Sequence, residues 1–214
     1  MLLAAALCLH LRTAPITLTL TDNVWVYPYA GDPVTDPYLR AWGSGGAAVA
    51  GKNDDPASFG YSYLKFSVEG VTTGKVTKAT LTLTQIAGAG WDAADATKHP
   101  LQARALLGDF TEKKWDYDML SKVSPDPAAT SVFGAAKVGE IKEGKEITLT
   151  IDLLQGPGDF AKAFAEAQKS GKGLNIALTS SMDPGELGRA AIYKLYSRHT
   201  DKTALAPKLE IEVQ

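Results

Sequence analysis

The 214-residue sequence has a single cysteine, Cys8, and only three histidines, His10, His99 and His199. Cys8 lies in the apolar run Leu2–Leu9 (LLAAALCL). Past that run there is no disulfide framework, thiol nucleophile, zinc–thiolate site or iron–sulfur site. The HExxH, CxxC, GxSxG and GxxxxGK[ST] patterns are all missing, so zincin, thiol, esterase and P-loop chemistries lack their starting residues. Neither sign of charge dominates: 22 basic against 24 acidic side chains leave a net charge of -2, with no electrostatic footprint for nucleic acid. No apolar stretch is long enough to span a bilayer as a helix. Leu2–Leu9 has the length of a signal-peptide core, so residues 1–16 are expected to be a truncated secretion leader and the product secreted, extracellular or periplasmic.

What the sequence does contain is alternation. In Tyr61–Val68 (YSYLKFSV), Leu64, Phe66 and Val68 alternate with Tyr63, Lys65 and Ser67; in Ala79–Thr84 (ATLTLT), apolar residues alternate with threonines. Successive side chains of a strand point to opposite faces, so each segment has an apolar and a polar side. Gly70 and Gly74 punctuate the connector, and the pair reads as a hairpin-like unit needing a second layer to cover it. Thr17–Tyr29 reads as an edge strand pair broken by a turn at Asp22-Asn23. Tyr38–Trp42, Leu101–Leu107, Glu146–Leu153, Leu174–Thr179, Ala191–Arg198 and Lys208–Val213 read as further strands. Gly31–Pro37, Gly43–Gly60, Gly88–Pro100 and most of Ser121–Lys145 read as loops. In Asp159–Ser170 the period changes to that of a helix, with Asp159 as N-cap and Gly171 as C-terminal glycine. The expected fold is all-β: a two-sheet, jelly-roll-like β-sandwich with one short α-helix at about 159–170, residues 17–214 forming one domain.

Candidate chemistry lies in cations and aromatics. Arg40, Lys65, Arg104 and Lys194 are candidate ligand-binding cations within strands, and convergence of Arg40, Lys65 and Arg104 on one sheet would suit the carboxylates of an acidic glycan. The alternative is that they are buried and paired, to Glu112 or Asp152, or simply solvated. Trp91, between Gly90 and Asp92, is expected to be exposed and able to stack on a sugar ring, while at least one of Trp42 and Trp115 is expected in the core. Asp22, Asn23 and Asp152, near strand ends, are candidate oxygen ligands for a structural calcium; the bland alternative is that they make turns. Gln85-Ile86-Ala87 and Tyr193–Tyr196 are similar to short motifs of jelly-roll polysaccharide lyases, with Ala87 where such enzymes place histidine.

Taken in order, these segments resemble the DNRLRE-type domain. The likeness rests on YLRAW at Tyr38–Trp42, YSYLKF at Tyr61–Phe66, KVTKATLTLT at Lys75–Thr84 and DFTEKKWDYD at Asp109–Asp118. EITLTIDLL at Glu146–Leu154 and LYSRHTDKTALAPKLEIEV at Leu195–Val213 complete it. The acronym hexapeptide is absent, and Phe110 stands where the family's "WtE" pattern opens with tryptophan. The resemblance implies a secreted, non-catalytic bacterial β-sandwich of a group that includes alginate-binding modules, with Arg40, Lys65, Glu112 and Trp115 at the family's recurrent positions. The expected function is binding of a polysaccharide, acidic ones included, by a monomer. A structural adhesion or assembly domain is the second expectation, and a lyase the third.

Overall fold

The computed structural model describes residues 14–28, 30–31, 36–48, 59–88, 91–115, 117–138, 142, 144–184 and 192–214; most of the expected leader lies outside them. In chain order the strands are β1 (Ile16–Leu18), β2 (Leu20–Tyr27), β3 (Ala30–Gly31), β4 (Tyr38–Gly43), β5 (Phe59–Phe66), β6 (Val76–Ile86) and β7 (Gln102–Leu107). They continue with β8 (Ser124–Pro125), β9 (Val132–Ala135), β10 (Glu146–Asp152), β11 (Leu174–Thr179), β12 (Tyr193–Tyr196) and β13 (Lys208–Val213). Two helices join them, α1 (Ala93–Lys98) and α2 (Phe160–Ser170).

The long strand β6 organises the first sheet, pairing with β10 along one edge and with β13 and then β12 along the other; β1 extends β13 and β4 extends β12. The second sheet runs β2–β5–β11–β7–β9, with β3 on β2 and β8 beside β7. With β1 and β4 as one opening arm, β12 and β13 as one closing arm and β2 as an added edge strand on β5, the first layer holds arms one, eight, three and six, and the second holds two, seven, four and five. All these pairings are antiparallel, and the order is that of a jelly roll. A short contact of β4 with β5, Trp42 opposite Gly60 and Gly43 opposite Phe59, stitches the layers at one corner.

β5 and β6 do not pair as a hairpin. Their connector carries the chain from one sheet to the other, so Leu64 and Phe66 meet Ala79, Leu81 and Leu83 across the core rather than side by side. Burying their apolar faces against each other removes more apolar surface from water than leaving both on one sheet. The expected turn at Asp22-Asn23 is also replaced: the chain switches sheets at Thr19, and Asp22 and Asn23 lie within β2 beside a register shift.

Helix α2 follows its sequence signals. Asp159 accepts the Lys162 N–H at 2.9 Å, Gly171 closes the helix in the left-handed conformation, and Phe160, Phe164 and Ala167 enter the core. The segment Gly88–Pro100, expected as loop, contains α1, capped by the Asp92 carboxylate on the Ala94 and Asp95 N–H groups.

A second apolar layer covers the outer face of the β2–β5–β11–β7 sheet. Val24, Val26, Tyr61, Tyr63 and Ala177 on that face pack with Phe110 and Val123 from the connection after β7, and Trp115 closes over Tyr63 and Phe110. Tyr61 and Tyr63, expected on a polar face, are therefore as buried as Leu64 and Phe66 behind them.

Candidate ligand-binding surface

The less covered counterpart lies on the first sheet, where β4 and β12 run side by side; Tyr38, Arg40 and Lys194 are half-buried there and Tyr196 is buried. Alternation sends Leu39, Ala41, Tyr193 and Leu195 into the core, and Tyr38, Arg40, Lys194 and Tyr196 the other way. The register sets Arg40 opposite Lys194 and Tyr38 opposite Tyr196. The Lys194 ammonium stands 4.0 Å from the Tyr38 ring centre, and the Tyr38 and Tyr196 rings are 5.3 Å apart. Trp25 reaches over from β2, so that the Arg40 guanidinium lies 4.5 Å above its ring. Tyr27 stacks on Trp25 at 5.4 Å, while Trp42 is buried, flat against Gly60. A ribbon of rings and cations results, running from Tyr27 and Trp25 through Arg40, Lys194 and Tyr38 to Tyr196.

The two cations differ. Asp36 is the partner of Arg40: its carboxylate forms an ion pair with the guanidinium and accepts the Trp25 indole N–H at 2.9 Å, while its other oxygen takes the Tyr38 N–H at 3.0 Å. Lys194 has no carboxylate at ion-pair distance among the described residues. Burial, and then the like charge of Arg40, draw its pKa below that of an ordinary lysine, against a smaller opposing effect of Asp36. At the far end Glu146 accepts the Tyr196 hydroxyl at 2.5 Å and the Lys202 ammonium at 2.8 Å, leaving that corner neutral. The ribbon thus carries Arg40, Lys194 and Asp36 in its middle, one positive charge in excess, between aromatic rings.

The other expected site residues do not join it. Lys65 lies on the opposite sheet, donating to Asp109 and to the Phe110 carbonyl, each at 2.8 Å. Arg104 is on that sheet too, 5% exposed beneath the second layer. The expected convergence of Arg40, Lys65 and Arg104 is therefore replaced by separation, because β4 belongs to one layer and β5 and β7 to the other. Trp91, expected exposed, is half-buried and meets the Tyr193 ring edge-on at 5.2 Å.

The calcium candidates are likewise apart. Asp22 accepts the Thr111 hydroxyl at 2.8 Å and the Glu112 N–H at 3.1 Å. Asn23 is buried, its side-chain oxygen accepting the Arg198 N–H at 2.7 Å. Asp152, exposed at the end of β10 in the other sheet, accepts the Leu154 N–H as a turn residue. Among the described residues no group of three or more His, Cys, Asp or Glu is placed to hold a metal ion.

Glu112 is a hub for the covering layer. Its carboxylate receives the Arg198 guanidinium through two nitrogens, the Asn23 N–H at 3.1 Å and His199 Nε2 at 3.1 Å. Burial pushes its pKa up, but the Arg198, Asn23 and His199 contacts together hold it below the ordinary carboxylate range. Gln85, the residue similar to a lyase glutamine, faces the interior at 0% exposure and accepts the Lys194 N–H at 3.0 Å. Tyr38, Tyr196, Asp36, Glu146 and Lys202 are site neighbours that the sequence reading does not single out. The parity of YLRAW and YKLY was the available signal, since it puts Tyr38, Arg40, Lys194 and Tyr196 on faces of their own. No protein-family model matches this sequence, and a search of curated proteins finds no match either.

Proposed function

We propose that this chain is a non-catalytic carbohydrate-binding module of a secreted bacterial protein, of the DNRLRE type, and that the β4–β12 ribbon holds a polysaccharide, acidic chains included. The observation that carries the reading is the Lys194–Arg40 pair set between Tyr38 and Trp25. Aromatic faces suit the C–H faces of sugar rings, and a cation with no carboxylate at ion-pair distance among the described residues, seated beside them, can take one from the ligand. The neighbouring Arg40–Asp36 pair fixes the geometry without competing for that charge.

The test is a polysaccharide array on the chain without its leader, with alginate, pectin and neutral glucans at two salt concentrations. Uronate binding that weakens with salt, with no unsaturated sugar formed, supports the reading, because exposed charge pairs are screened. Lys194→Ala should then weaken uronate binding about tenfold, the loss of one hydrogen bond to a charged group. Absence of binding to every glycan would overturn the proposal. The second reading, a structural adhesion or assembly domain, draws on Lys65 and Arg104, whose cations serve internal contacts; that array result would leave it standing.

A further inference from the structure

Arg104 brings a positive charge under the second layer, and among the described residues only neutral groups hydrogen-bond to it. One terminal nitrogen donates to the Asp126 carbonyl at 2.9 Å and the other to Gln102 Oε1 at 2.7 Å. The Asp126 carboxylate accepts the Ala128 N–H at 2.9 Å instead, and acts on Arg104 only through its field. The third donor position, Nε–H, is buried without an acceptor.

A second orphan sits on the same face. Thr179 is 0% exposed, and its hydroxyl also lacks a partner. The β11–β7 register pairs Ala177 with Arg104 and Thr179 with Gln102, which makes Thr179 and Arg104 diagonal neighbours. Such neighbours lie about 7 Å apart, within reach of a long side chain. The turn after β4 lies on this spot. Gly46, at φ 96°, is so close that a Cβ would come within 3.0 Å of an Arg104 terminal nitrogen. The turn is pinned there by Tyr61, whose hydroxyl accepts the Ala48 N–H at 3.1 Å.

Buried polar atoms are nearly always hydrogen-bonded, and a buried charge is nearly always countered. A water molecule could meet the two donors but would leave the charge. A glycan carboxylate is excluded by the burial of Arg104. What meets all three requirements is a small anion with a single charge. We propose that Arg104 Nε–H and the Thr179 hydroxyl form an internal site for a monovalent inorganic anion of the halide class, enclosed by the turn at Gly46. This site is separate from the β4–β12 ribbon and does not depend on its ligand.

The experiment starts from the full chain dialysed into sodium gluconate. Chloride or bromide then replaces gluconate at constant ionic strength while Tm is followed. A ligand that binds only the folded state raises stability with the logarithm of its concentration above Kd, so Tm should climb steadily with halide. Crystals grown in bromide should show anomalous signal beside the Arg104 guanidinium. Thr179→Val, close in volume, keeps the charge and removes one donor; its halide affinity should fall about tenfold. Equal Tm in halide and gluconate together with no bromide signal would overturn the site. So would an identical halide response in Thr179→Val and the native chain, which marks a general salt effect.

Discussion

The outer faces of the two sheets are built from the same kind of strand and meet opposite fates. On β5, Tyr61, Tyr63 and Lys65 alternate with buried residues just as Tyr38 and Arg40 do on β4. Around Tyr61 and Tyr63 the connection through Phe110, Trp115 and Val123 folds back and makes a second apolar layer. On β4 and β12 the cover is partial: Trp25 lies against Arg40 and Glu146 and Lys202 close over a buried Tyr196, while Tyr38 and Lys194 stay half-buried. A period of two therefore distinguishes two faces of a strand; whether the second face stays wet depends on what chain is available to lie on it. One face became core, the other a candidate site.

Removing a side chain from the covered face should cost most. Tyr63→Ala takes away a ring that packs on Phe110 and Trp115, and should destabilise by about 4 kcal/mol, in the range of large-to-small core changes. Chemical denaturation measures it; a loss below 1 kcal/mol would mean that the second layer adds little and that the two faces are alike after all.

Next comes the clasp that holds the cover in place. Glu112→Gln leaves the Arg198 guanidinium facing a neutral amide and should cost about 3 kcal/mol at neutral pH, as for a broken, largely buried pair. The pH dependence follows from the depressed pKa of Glu112. Its contribution is complete above the unfolded-state value of about 4.3 and is lost as the pH falls through the lower, folded-state value. Unfolding midpoints between neutral and strongly acid pH should thus converge for the native and Glu112→Gln chains; a constant gap would contradict the assignment.

At the corner where the layers meet, Gly60→Ala would place a Cβ 2.2 Å from the Trp42 ring. Trp42 must shift, at a cost of about 2 kcal/mol, typical of overpacking. Tryptophan fluorescence should report the movement, and an unchanged spectrum with unchanged stability would refute the packing. The smallest effect belongs to the ribbon: Lys194→Ala should alter stability by no more than about 0.5 kcal/mol. Its consequence should appear in glycan binding alone. A large stability loss would turn Lys194 into a structural residue and remove the contrast between the faces.

Much of the architecture was legible because it depends on local spacing. The alternating runs became strands, and α2 begins and ends at the Asp159 and Gly171 caps. The link between β5 and β6 reads as a hairpin in sequence yet crosses between sheets, because glycines in a connector permit both a reversal within one sheet and a crossing between two. The short helix α1 has too few apolar positions to show a period. The site was legible only in part: Arg40 and Lys194 belong to the ribbon, whereas Lys65 and Arg104, alike in sequence context, are held by internal contacts. Their difference arises from residues far along the chain, Asp109 for Lys65 and Asp126 for Arg104.

By itself the sequence determined that this chain folds as antiparallel β-structure with one well-capped helix, since period, capping residues and turn residues act over a few neighbours. Tertiary structure alone decided which strands share a sheet, that Tyr61 and Tyr63 are core, and that Arg40 and Lys194 stand side by side among aromatic rings. Those outcomes depend on contacts between residues remote in sequence, such as Lys194 with Arg40 and Phe110 with Tyr63. No local pattern encodes such a contact, because its energy is gained only when the layers close.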